Sequence, residues 1–81
     1  MNARVEQVEC TGKSKLEITF KNGEVKIFDV APYFNYPIYE DLQNEVFFRK
    51  AHVFNGTVVW DEYIDFDPDI LYQEGKELVR H

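Results

Sequence analysis

Apolar and polar residues alternate through Leu16-Glu17-Ile18-Thr19-Phe20-Lys21, break at Asn22-Gly23, and resume through Glu24-Val25-Lys26-Ile27 before Phe28-Asp29. A period of two marks a half-buried strand, and Asn-Gly between two such runs marks a hairpin. Asn and Gly both tolerate positive φ, which a two-residue type I′ turn demands at each central position. That turn predicts Phe20 opposite Val25 and Ile18 opposite Ile27 on one face. Lys21 then meets Glu24, and Thr19 meets Lys26, on the other.

The pattern recurs in Phe48-Arg49-Lys50-Ala51-His52-Val53-Phe54, Asn55-Gly56 and Thr57-Val58-Val59-Trp60-Asp61. The same turn predicts Val53 opposite Val58 and Ala51 opposite Trp60, a small residue against a large one. Lys50 then faces Asp61 and Arg49 faces Glu62, ion pairs worth only about 0.2–1 kcal/mol each on a surface. Arg4 to Cys10 reads as a further strand, with Val5 and Val8 out of strict alternation.

Between the hairpins, Pro32 and Pro37 limit any helix to short turns, with Pro37 suited to a first helical position and Ile38, Tyr39 and Leu42 as its buried stripe. The last element starts at Asp67, where an Asp cap, Pro68 and Asp69 match the needs of a helix N-terminus. Leu71 and Tyr72 are placed to pack on the sheet. Gly75 weakens the helix, and residues 74–81 read as a frayed tail. These elements predict an α+β domain: a small antiparallel sheet of two β-hairpins and an N-terminal strand, with short helices packed on it. Residues 1–81 make a single domain.

The chain has 81 residues, and a core this small is compensated by seven Phe, five Tyr and one Trp. Cys10 is the sole cysteine, so no intrachain disulfide forms, which fits a reducing compartment. No apolar run suggests a signal peptide or a membrane span, so the expected location is the cytoplasm. The net charge of −6 and the scattered basic residues argue against nucleic-acid binding and against anionic membranes.

Asp29 and Pro32 after the Gly23 hairpin, then Leu42, Phe48 and Trp60, and finally Asp65, Pro68 and Leu71-Tyr72, resemble a family of short bacterial proteins, domain-of-unknown-function family 2442. The resemblance spans residues 4–73, and its most specific stretch begins at Trp60. It implies a small α+β domain and brings no enzyme activity, cofactor or catalytic residue. It also implies a toxin–antitoxin-like pairing with a short neighbouring protein. Longer relatives carry a helix-turn-helix segment after this domain, for which a chain ending at His81 is too short. Relatives place a Pro-, Asn- or Gly-bearing turn after Trp60, where this chain has Asp61-Glu62-Tyr63-Ile64.

Asp65-x-Asp67-x-Asp69 has the spacing that opens a calcium loop, but Ile70 replaces the loop's Gly, Lys76 its bidentate Glu, and Pro68 interrupts it. Helix capping explains Asp67 and Asp69 without an ion. Cys10, His52 and His81 lack zinc-site spacing, and His52 reads as a residue of the less buried strand face. Cys10 could pair with His52 across strands, though no local signature supports a nucleophile there. No catalytic, cofactor or metal residue is assigned, and no enzyme is expected. Tyrosines on a proline-punctuated connection offer large contact area at low entropy cost. The candidate partner contacts are accordingly Tyr33, Tyr36, Tyr39, Asp61, Glu62 and Tyr63. The expected function is a small acidic protein-interaction module, antitoxin-like or homo-oligomeric. The alternative is a divalent-metal or small-ligand domain using the acidic segment 61–69.

Overall fold

A computed structural model of the chain describes residues 3–61 and 64–77. Strands β1 (Val5–Cys10), β2 (Lys15–Phe20) and β3 (Val25–Asp29) lead into 3₁₀ turns at Ala31–Tyr33 and Pro37–Gln43 and a single helical turn, α1 (Glu45–Phe48). Strands β4 (His52–Phe54), β5 (Thr57–Asp61) and β6 (Ile64–Phe66), helix α2 (Pro68–Glu74) and strand β7 (Lys76–Glu77) follow. The α+β class is as expected. The hairpins occupy two antiparallel sheets, one ordered β1-β2-β3-β7 and the other β4-β5-β6. They meet where the Val5 amide donates to the Gly56 carbonyl at 2.7 Å.

The first hairpin departs from its expected register by one residue. Ile18 lies opposite Lys26 and Leu16 opposite Phe28, so Lys21, Asn22 and Gly23 form a three-residue loop. Only Gly23 takes positive φ there, at 92°, as in a tight turn followed by a glycine bulge. The Asn22 side chain favours this form by accepting from the Glu24 amide at 3.0 Å. A one-residue slip inverts every side chain of a strand. Phe28 is therefore buried, while Val25 and Ile27 are half-buried on the outer face.

Lys26 consequently points inward beneath α2. Its Nζ donates to the Tyr72 carbonyl at 2.7 Å and sits 3.8 Å from the Tyr72 ring centroid. A cation at the last turn of a helix complements the partial negative charge of its carbonyls. Tyr72 in turn meets Phe20 edge-on at 5.1 Å.

In the second hairpin the expected register holds: Val53 opposes Val58, with Asn55 at φ 52° and Gly56 at φ 78°. The pairing stops at His52, so Ala51 is not paired with Trp60. Upstream residues are drawn into α1 instead, whose cap is Asn44, accepting from the Phe47 amide at 3.1 Å. The Lys50–Asp61 ion pair is not formed among the described residues. Arg49 there pairs with Glu45 at 3.3 Å, one helical turn back, and its expected partner Glu62 lies outside the described residues.

The core joins Val5, Leu16, Ile18, Phe20 and Phe28 of one sheet to Val58, Trp60, Ile64 and Phe66 of the other, closed by Leu42, Phe48 and Leu71. Trp60 fulfils its indole hydrogen bond inside this core, donating to the Phe48 carbonyl at 2.8 Å. Leu42 is buried as expected, but Ile38 is exposed. The reason is pitch. Pro37–Gln43 has three residues per turn, so Tyr39 and Leu42 share the inner face and Ile38 is turned outward.

Helix α2 starts as its residues dictate, with Asp67 accepting from the Asp69 amide at 2.8 Å and Pro68 at the first position. Lys76 and Glu77, expected in a frayed tail, pair with Ile27 and Lys26 of β3. The backbone groups of β3 that β2 leaves unpaired give that short strand an edge to add to. Residues 78–81 of the expected tail lie outside the described residues.

Candidate functional site

The aromatic connection is largely committed to the core. Tyr39 stacks on Phe66 with centroids 4.6 Å apart and planes 8° from parallel, and Tyr33 meets Phe66 edge-on at 5.1 Å. Their hydroxyls are also held: Tyr33 donates to Glu74 at 2.5 Å and Tyr39 to the Asp65 carbonyl at 3.2 Å. Burial, then the hydrogen bond to Glu74, pushes the Tyr33 phenol up to about 12. Burial and the nearby Asp65 carboxylate also raise Tyr39. Tyr36 is exposed, against the flank of Tyr33 at 6.0 Å. Of the three candidate tyrosines, Tyr36 alone presents its ring chiefly to solvent. Glu62 and Tyr63 lie outside the described residues.

The acidic segment is put to structural use. Asp61 accepts from the Ile64 amide and Asp69 from the Ala3 amide, each at 3.0 Å, while Asp67 caps α2. Among the described residues no group of three or more His, Cys, Asp or Glu is arranged to hold a metal ion. Cys10 and His52 share no hydrogen bond among the described residues. The Cys10 thiol lies 3.5 Å from the Phe48 carbonyl, and burial raises its pKa against the opposing pull of Arg49. His52 is exposed, with Nδ1 3.0 Å from the Lys50 carbonyl.

The feature that sequence reasoning missed is the outer face of β4-β5-β6. Val53, Val58 and Phe66 face the core, so strand alternation turns His52, Phe54, Thr57, Val59 and Asp65 to the opposite side. Asp61, two residues beyond Val59 with the core-facing Trp60 between them, lines the same surface. Together these residues line an open concavity of about 460 Å³. Phe54 stands 59% exposed at its side. The signal was present in the sequence, since the correct register of this hairpin already separates Phe54 from Val53.

Two small antiparallel sheets sharing one core, braced by short helices, define a compact α+β domain. The chain matches the family described as protein of unknown function (DUF2442) over residues 5–77, and it belongs to that family. No curated protein and no solved structure matches it. No helix among the described residues is long and apolar enough to cross a membrane.

Proposed function

We propose that this protein is a cytoplasmic, non-enzymatic interaction module whose role is to bind another protein. The observation that carries the reading is a set of large apolar side chains left outside a core that is otherwise closed. Tyr36, Ile38, Val46 and Phe54 are 56%, 57%, 73% and 59% exposed. Exposed aromatic and aliphatic groups on a small acidic domain suit a partner's surface better than solvent. The non-enzymatic part is supported by how the carboxylates are used. Asp29, Asp61, Asp67 and Asp69 each accept from a main-chain amide, so they serve turns, caps and chain ties. An antitoxin-like pairing with a small neighbouring protein is the specific form of this function that the family resemblance favours.

The test is affinity purification of the tagged chain from native lysate, then reconstitution with the recovered protein made separately. A stoichiometric complex is the expected result. A chain that elutes alone and monomeric across a range of salt concentrations would refute the reading.

A further inference from the structure

We infer that the outer face of β4-β5-β6 is a docking surface for a basic, apolar-bearing segment of a protein partner. The inference rests on the interaction-module reading and adds the surface and the partner's chemistry.

Phe54 and Val59 supply an apolar floor within the concavity, and Asp61 and Asp65 supply its charge. None of the described lining residues is Lys or Arg. The arrangement therefore offers an apolar contact beside carboxylates, on a chain of net charge −6. Charge complementarity selects the occupant. Nucleic acid and anionic lipid carry the wrong sign. A second copy of this chain would bring like carboxylates together across the interface. A segment that seats one large apolar side chain against Phe54, and directs Lys or Arg toward Asp61 and Asp65, satisfies both halves of the surface.

The two carboxylates differ in what else they do. Asp61 holds the Ile64 amide, whereas Asp65 is tied to the fold through its main-chain carbonyl, which accepts from Tyr39. Asp65→Asn and Phe54→Ser are therefore the variants that alter the surface and spare the core.

Binding of labelled peptides to the full chain, read by fluorescence anisotropy, provides the test. The probes are a short peptide alternating lysine with leucine and its counterpart with glutamate for lysine. The lysine peptide is expected to bind saturably and the glutamate peptide not to bind. Each variant should weaken binding by roughly tenfold or more while melting like the parent chain. Amide shift changes on titration should map to residues 52–61 and 64–66. Equal binding of both peptides, unchanged affinity in both variants, or shifts centred elsewhere would overturn the surface assignment. So would a dimer in light scattering that Phe54→Ser dissolves. A partner recovered from lysate separates the two levels of the argument. Equal binding to the parent and both variants disproves this surface and leaves the module reading standing. Failure of every protein and peptide to bind removes both.

Discussion

The two hairpins carry the same Asn-Gly dipeptide and resolve it differently. In the second, Asn55 and Gly56 both adopt positive φ and close a two-residue loop. In the first, only Gly23 does, and the loop takes in Lys21 as a third residue. The dipeptide is compatible with both turns, so it announces a hairpin without choosing a register. The choice falls to what each register buries. A two-residue loop in the first hairpin would turn Phe28 outward and bury Val25 and Ile27. The observed loop places Phe28 against Phe66 at 5.4 Å and against Tyr33 at 5.8 Å. A buried phenylalanine outweighs the inward lysine that comes with it, because Lys26 finds the Tyr72 carbonyl and ring. In the second hairpin no such conflict arises, since the tight turn already buries Val58 and Trp60.

The sharpest way to break this contrast is to truncate the rings that each register buries. Phe28→Ala and Trp60→Ala are each expected to cost about 3–5 kcal/mol in denaturant unfolding, from lost burial and the cavity left behind. Ile27→Ala, on the outer face, should cost far less. A larger loss from Ile27→Ala than from Phe28→Ala would restore the two-residue loop.

The glycines give the next largest effects. Gly23→Ala and Gly56→Ala each force a residue with a Cβ into the left-handed region, at roughly 1–2 kcal/mol. At Gly23 a Cβ would meet nothing within 4 Å, whereas at Gly56 it would lie 2.9 Å from the Arg4 guanidinium. Gly56→Ala should therefore also displace Arg4, visible as a shift of its side-chain resonances, and Gly23→Ala should leave Arg4 undisturbed.

A smaller effect separates the asparagines. Asn22→Ala removes the acceptor for the Glu24 amide and is expected to cost about 0.5–1.5 kcal/mol. Asn55→Asp keeps a residue that tolerates positive φ and should be close to neutral, whereas Asn55→Val should not. Thermal unfolding of the three variants compares them directly.

The finest probe is pH. Tyr33 lies over Phe28, and its phenol is raised from 10.0 to about 12 in the fold. Its neutral form is the one the native state favours, so its contribution to stability is complete below pH 10 and lost as pH rises toward about 12. Melting temperature should fall across that window, and Tyr33→Phe should flatten part of the fall. Tyr39 and Tyr72 are raised as well and act in the same direction. An unchanged profile in Tyr33→Phe would mean that the Tyr33 phenol is neither desolvated nor held by Glu74.

The candidate surface was partly legible. Correct alternation in the second hairpin already assigns His52 to the exposed side, and with it Phe54. The emphasis on the tyrosines fared differently, because Tyr33 and Tyr39 have in Phe66 a partner that lies about thirty residues away in the chain. Composition can count rings, but it cannot say which of them meet.

Residues near one another along the chain decided by themselves which runs form the two hairpins, where those hairpins turn and where α2 is capped. Those outcomes depend on alternation, on tolerance of positive φ and on an Asp side chain reaching an amide two residues away. Only the assembled molecule decided the first hairpin's register, the inward course of Lys26 and the carbonyl that receives the Trp60 indole. In each of these cases local geometry admits two arrangements of similar energy. Contacts between segments distant in sequence then tip the balance, because burying a ring against another ring outweighs the small differences between turns.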